Sequence, residues 1–188
     1  MIKLDWKSLL SITAVITSCC ALYVSSRQLK IASEEQQASV FPYMTAAYNS
    51  SEERIELYLS NDGLGPAFIS GVEVRLGDST YTSFWEPVAD FLKIGKYEFN
   101  SPTGIWFTKS DLLPGWVIRA NSNKYTLFVL DHLKPGQARQ FWQYYNDKEK
   151  GIQAKIWYLD LYNHCWLFDY NASTVTRCDK CPNEVLKR

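Results

Sequence analysis

The sequence predicts a mainly β protein: one N-terminal transmembrane helix with a helical stalk, then an antiparallel β-sandwich head carrying one or two short helices. Three observations predict it. Residues 8–26 form an uncharged run long enough to cross a bilayer. Residues 27–38 continue as polar, helix-forming sequence without Gly or Pro. From residue 41 onward, apolar positions recur every second residue between turn signals, as in half-buried strands. The chain therefore divides into a membrane anchor (1–26), a stalk (27–40) and a head (41–188).

As a helix, residues 8–26 (SLLSITAVITSCCALYVSS) span about 28 Å, against a hydrocarbon core of about 30 Å. Trp6 and Tyr23 sit near the two ends, where interfacial aromatics belong. Ser11, Ala14, Ser18 and Ala21 recur at helical spacing, so a second helix could approach closely there. Two processed forms compete with an uncleaved anchor. Ile16-Thr17-Ser18-Cys19 has the shape of a lipobox, and Val24-Ser25-Ser26 the small residues of a signal-peptidase site. The sequence stays apolar from Ala21 to Val24, past Cys19, which favours the uncleaved anchor. Lys3, Lys7 and the terminal amine stand against Arg27 and Lys30, a near-balanced count that leans to the N-terminus inside and the head on the exported side.

In the stalk, Leu22 and Leu29 lie one heptad apart, but Gln36 follows, so the segment reads as a spacer and not as a coiled coil. Pro42 ends the helix by pushing the residue before it out of the helical region. In the head, residues 54–61 alternate Ile55, Leu57 and Leu59 with Glu56, Tyr58 and Ser60. Residues 68–76, 125–130, 152–162 and 165–170 read as further strands, the last two joined by a turn at Asn163-His164. Residues 85–94 and 137–145 are the two helical pieces. Aromatics make up 15% of the chain, and they favour strands and large burial per residue. The formal net charge is zero and no basic stripe appears, which excludes a nucleic-acid partner held through phosphates.

The stretch LYLSNDGLGPAFISGVEVRLGD (57–78) resembles the L-x-N-x-G-x-G-P-A signature of a bacterial family of uncharacterised single-pass membrane proteins. The likeness extends to Gln36–Tyr43 and to Ile156-Trp157-Tyr158 through His164-Cys165-Trp166. The resemblance implies an immunoglobulin-like head and a bacterial cytoplasmic (inner) membrane, and it transfers no catalytic residue or ligand. The residues of the signature read as a structural turn. Asn61, Gly63 and Gly65 suit positive φ, Asn61 can bond the turn backbone, and Pro66 suits a strand start. A strand follows, so the glycines do not form the helix-opening phosphate cradle.

The chain has two His and lacks GxSxG, HExxH and Walker-type motifs, so no catalytic residue is predicted and the protein reads as a non-enzyme. No cofactor or metal is predicted either. His164, Cys165, Cys178 and Cys181 are the nearest approach to a zinc set, but His164 and Cys165 are neighbours that a strand points to opposite faces, and there is a single CxxC. A disulfide in an exported head would join Cys178 to Cys181, or one of them to Cys165. Asp160 and Asp169 read as solvated or hydrogen-bonded strand residues, not a catalytic pair.

Residues 85–117 hold Trp85, Phe91, Tyr97, Phe99, Trp106, Phe107 and Trp116. Trp85, Trp106, Phe107 and Trp116 are a candidate binding surface, or else rings that close the end of the sandwich. The function expected is a membrane-tethered binding or sensing module with a protein partner or self-association, held by the lipid bilayer through residues 8–26. The alternatives are an oligomerising membrane effector of the phage-defence kind and a metal or redox site at the C-terminal cysteines.

Overall fold

The computed structural model describes residues 6–92, 104–145 and 151–182. The chain separates into a helical unit ending at Ser39 and a compact head from Val40 onward. Helix α1 runs unbroken from Trp6 to Ser39, so the anchor and the stalk are one helix. Its segment Leu9–Ser39 is long and apolar enough to cross a membrane, with a mean hydropathy of 1.8 in its most apolar window. Four of the hydroxyls that dilute this hydropathy are satisfied within the helix. Thr13 donates to the Leu10 carbonyl (2.9 Å), Ser18 to Ala14 (2.8 Å) and Ser26 to Tyr23 (2.8 Å), while Thr17 donates to Thr13. A polar group bonded inside its own helix costs far less in hydrocarbon than a free one. Beyond the apolar run, Lys30 pairs with Glu34 one turn on.

The head is two antiparallel sheets with a shared core. Strands β1 (Met44–Ser50), β2 (Ile55–Asn61), β3 (Ala67–Leu76), β4 (Ser79–Tyr81), β5 (Trp106–Lys109), β6 (Val117–Ile118), β7 (Ser122–Asp131), β8 (Ile152–Leu159), β9 (Cys165–Asp169) and β10 (Thr174–Cys178) build it. The first sheet has the order β1-β2-β7-β5, and the second β10-β9-β8-β3-β4, with β6 pairing the start of β3. Ile55, Leu57 and Leu59 of β2 bury against Ile69 and Val74 of β3 and Ile156 and Tyr158 of β8 within one cluster. Strand β8 alternates buried and open positions along its length, as one-sided burial requires. Strand β2 departs from that pattern because its polar positions are also covered. Glu56 bonds Lys124 (2.8 Å) and Thr126 (3.2 Å), and Ser60 bonds Thr45 (2.7 Å).

Helices α2 (Trp85–Leu92) and α3 (Gln137–Tyr145) bridge the sheets. The Trp85 ring stacks on Phe107 of β5 at 4.5 Å, and Phe84 beside it meets Tyr170 past the end of β9. From α3, Phe141 meets Phe128 of β7, and Tyr145 meets Tyr170. Burial in this aromatic layer pushes the Tyr170 phenol up to about 12 and Tyr145 well above its ordinary range, so both stay neutral.

Several predicted boundaries move, and the strand expected over 125–130 lengthens most, to Ser122–Asp131. The strand expected over 152–162 ends at Leu159 because Asp160 turns the chain, its Oδ1 accepting the backbone N–H groups of Tyr162 (2.8 Å) and His164 (2.9 Å). The helix expected over 85–94 is described as Trp85–Leu92, and positions 93–94 lie outside the described residues.

Candidate functional site

The signature turn is a clamp, and its glycines work differently from the expectation. Neither Gly63 nor Gly65 has positive φ; the left-handed glycines are Gly77, Gly104, Gly115 and Gly136. What Gly63 and Gly65 provide is room. A Cβ on Gly63 would overlap the Phe41 carbonyl oxygen, and one on Gly65 the Val40 carbonyl oxygen. The segment that opens the head, residues 40–43, is thus laid directly onto the turn. Leu64 N–H donates to the Phe41 carbonyl (3.1 Å) and Asp62 N–H to Tyr43 (2.9 Å). Asn61 is fully buried and serves both sides of the joint. Its Oδ1 accepts from the N–H groups of Tyr43 (3.1 Å) and Gly63 (3.1 Å), and its Nδ2 donates to the carbonyls of Gly65 (2.8 Å) and Arg119 (3.1 Å). Pro66 lies just ahead of β3, where its missing N–H is not needed. The second sheet holds the same segment from the other side. Tyr158 Oη donates to the Pro42 carbonyl (3.1 Å), and the Phe41 ring meets Trp166 edge-on at 4.5 Å.

The acidic and histidine candidates resolve into a brace for the β8–β9 hairpin. Asp160, buried, accepts from His164 Nδ1 (2.9 Å) and Trp166 Nε1 (3.1 Å) through Oδ2. Asp169 Oδ1 accepts from the N–H groups of Asn171 and Ala172, a second turn brace. His164, Cys165, Cys178 and Cys181 do not assemble as a metal set. His164 is taken up by Asp160, and Cys165 is bonded to Cys181. Among the described residues no group of three or more His, Cys, Asp or Glu is arranged to hold a metal ion.

The disulfide corrects the Cys178–Cys181 pairing in favour of its alternative. Cys165 and Cys181 are joined with 5.6 Å between their Cα atoms, and Cys178 is a free thiol. The reason is the register of the last hairpin. Cys178 ends β10 opposite Cys165, and the chain then folds back over the outer face of the second sheet. That return brings Cys181 to Cys165 and sets Pro182 over Gly71 and Trp157, where a Cβ on Gly71 would meet Pro182 Cγ at 3.1 Å. Residues 179–182 are therefore a strap, stapled to β9 by the disulfide.

Beside this strap lies a groove of about 670 Å³. Its floor is Gly71, Val72 and Glu73 of β3 with Trp157 of β8, paired across from Gly71. One wall is the start of α2, where Ser83 Oγ accepts the Glu86 N–H (3.4 Å). The other wall is Leu112, Leu113 and Pro114, and Pro182 closes one end. The Leu113–Trp116 turn fixes that second wall. Trp116 N–H donates to the Leu113 carbonyl (3.1 Å), with Pro114 and positive-φ Gly115 between them, which is a type II turn. Ile69 of β3 exchanges bonds with Gly115 and Trp116, both 2.8 Å, and ties the wall to the sheet. The polar groups of the groove are Lys109, whose ammonium stands 5.9 Å from the Trp85 ring centroid, with Asp111, Glu86 and Glu73. Glu73 is held by Arg75 at 2.8 Å, and the Asp111 carbonyl accepts the Tyr125 hydroxyl (3.1 Å).

The four aromatic candidates divide. Trp85 is 2% exposed and, with half-buried Phe107, belongs to the layer between the sheets, though Trp85 also borders the groove. Trp106, 72% exposed, and Trp116, 44% exposed, stand at the surface, beside His132 and Tyr125 respectively. Tyr97 and Phe99 lie outside the described residues. Sequence reading missed Trp157, Lys109, Asp111 and Pro182 as neighbours of one groove. The one local signal was Pro114-Gly115, a dipeptide that marks a tight turn. No family model, no curated protein and no solved structure matches the chain.

Proposed function

We propose that the protein is a membrane-tethered, non-enzymatic binding module whose head takes a small ring-bearing ligand in the groove between β3, β8, α2 and the Leu113–Trp116 turn. The observation that carries this reading is the groove itself, which is roomy and mostly apolar, and has a sheet for its floor. Pockets of this size, with apolar walls and a few placed polar groups, are the usual form of a small-molecule site. Trp157, Leu113 and Pro182 offer faces for a ring, while Lys109 and Asp111 offer opposite charges to its polar substituents.

An immunoglobulin-like classification of the head belongs to the same proposal. The order β1-β2-β7-β5 parallels the A-B-E-D sheet of that fold and β9-β8-β3 its G-F-C sheet, with β4 as an added edge strand. The resemblance carried by Asn61, Gly63, Gly65 and Pro66 favours a bacterial inner membrane. The Cys165–Cys181 disulfide favours the exported side for the head, since such bonds persist in oxidising compartments. Strand β8 gives the reading a sensing aspect. Trp157 faces the groove, and its neighbour Tyr158 reaches the Pro42 carbonyl at the start of the head.

The test is a ligand-observed NMR screen of aromatic amines and aromatic acids against the full chain in nanodiscs. The expected result is a set of binders whose signal disappears in Trp157→Ala and Leu113→Asp while both variants remain folded, with thermal midpoints shifted far less than the lost binding would require of an unfolded head. Binders indifferent to both substitutions, or no binders at all, would refute the groove.

A further inference from the structure

We propose that Cys165, Cys178 and Cys181 form a thiol–disulfide exchange site that regulates the groove: the Cys178 thiolate displaces Cys165 from Cys181 and so releases from β9 the strap that carries Pro182. The regulatory part rests on the groove being the ligand site. The inference starts from register. Cys178 stands directly opposite Cys165 in the β9–β10 pair. Opposed residues of an antiparallel pair project from the same face, with Cβ atoms about 4.5–5.5 Å apart. Cys165 is in turn bonded to Cys181, which follows Cys178 at C-x-x-C spacing. The register and the spacing therefore put a half-buried free thiol next to a disulfide.

The exchange is balanced within the chain. Cys178 gives up its proton, and its sulfur attacks Sγ of Cys181. The Cys178–Cys181 bond forms as the Cys165–Cys181 bond breaks, the electron pair leaves on the Cys165 sulfur, and that sulfur takes up a proton. No external oxidant or reductant takes part. The consequence is mechanical. In the first isomer the strap is stapled to β9, and Pro182 closes the groove against Gly71 and Trp157. In the second, the bond lies wholly inside residues 178–181, so the strap is tied back to the end of β10 and no longer to β9.

Timed trapping of the full chain in nanodiscs with N-ethylmaleimide, followed by disulfide mapping by peptide mass spectrometry, tests the exchange. Two isomers are expected, Cys165–Cys181 with alkylated Cys178 and Cys178–Cys181 with alkylated Cys165, interconverting faster at pH 9 than at pH 6 because the thiolate is the nucleophile. Cys178→Ser should show the first bond alone. Cys165→Ser should form the second, and its amides at 179–181 should exchange hydrogen about tenfold faster than in Cys178→Ser, as local release of a segment requires. Finding only Cys165–Cys181 in the unmutated chain at both pH values, with Cys178 fully alkylated, overturns the exchange. Neither readout uses a ligand. A chain that interconverts but binds no aromatic fragment overturns the groove, and one that binds fragments without interconverting overturns the exchange.

Discussion

The clamp around Asn61 and the groove above Trp157 are built on neighbouring parts of the same head and are opposite in construction. At the clamp the chain is packed so closely that no Cβ fits on Gly63 or Gly65, and both ends of the Asn61 amide are bonded to main chain. At the groove about 670 Å³ stays open, and Lys109 and Asp111 are among the residues that line it. The difference teaches which residues carry the fold and which are left over for recognition. A substitution in the clamp is felt by the whole head, because two chain segments and both sheets meet there. A substitution at Leu113, half exposed on the groove wall, leaves the clamp's main-chain bonds untouched.

The sharpest way to break this comparison is Gly65→Ala. The added methyl must displace the Val40 carbonyl, and a clash with main chain that cannot move belongs with the exceptional losses of about 4 kcal/mol or more. Urea unfolding of the full chain in detergent, followed by circular dichroism, reads the loss. Asn61→Ala comes next. It strands the buried N–H of Gly63 and carbonyl of Gly65, at about 1–3 kcal/mol for each left unsatisfied, while the part-buried N–H of Tyr43 and carbonyl of Arg119 can turn to water at a smaller loss. Asn61→Asp separates the two halves of the amide. It keeps the acceptor but faces a carboxylate with carbonyl oxygens, so it should be no better tolerated than Ala in the same titration.

The cysteines rank third. Cys165→Ser opens a loop with a sequence separation of 16, worth about 3 kcal/mol in the chain-entropy account. A fall in the denaturation midpoint that dithiothreitol equals or exceeds in the unmutated chain, and deepens in the variant only by what a Cys178–Cys181 bond had recovered, checks it. Formation of Cys178–Cys181 in the variant would recover part of the loss.

Glu56 has a smaller, pH-dependent effect. Burial pushes its carboxyl up, but hydrogen bonding and charge attraction from Lys124, with Thr126 and Arg54, overcome burial and hold it below its ordinary value of 4.5. A carboxylate with a lowered pKa in the folded state stabilises above the unfolded value, and that contribution is lost as pH falls through the folded one. Thermal midpoints measured from pH 6 down to pH 3 should therefore fall less steeply in Glu56→Gln than in the unmutated chain, with the gap between the two curves closing below about pH 4.5.

The same contrast explains what was legible in the sequence. Ile55, Leu57 and Leu59 announce β2 because burial on one face is a local, period-two signal. Strand β1, read as MTAAYNS, gives no such signal, since an edge strand of small and polar residues is placed by its partner β2 and not by its own pattern. Gly63 and Gly65 were visible as special positions, but the reason for them was not. Their constraint comes from Val40 and Phe41, about twenty residues earlier, and no turn rule contains that contact. The groove was least legible. It draws Gly71, Lys109, Trp157 and Pro182 from four separate stretches, and only the sheet register brings them together. The cysteine pairing was equally hidden, because it depends on Cys178 and Cys165 being opposite and on the strap turning back.

The smallest expected effect on stability is also the most informative. Trp157→Ala, on the open outer face, should shift the unfolding midpoint far less than the clamp variants, yet abolish fragment binding. The central claim is that recognition sits in the groove and not on the exposed rings of Trp106 and Trp116. Hydrogen exchange of the full chain in nanodiscs, with and without the tightest-binding aromatic fragment, tests it most directly. The account predicts protection at Leu112, Leu113 and residues 179–181, with Trp106 and Trp116 unchanged. Protection centred on Trp106 and Trp116, with the walls of the groove untouched, would contradict it.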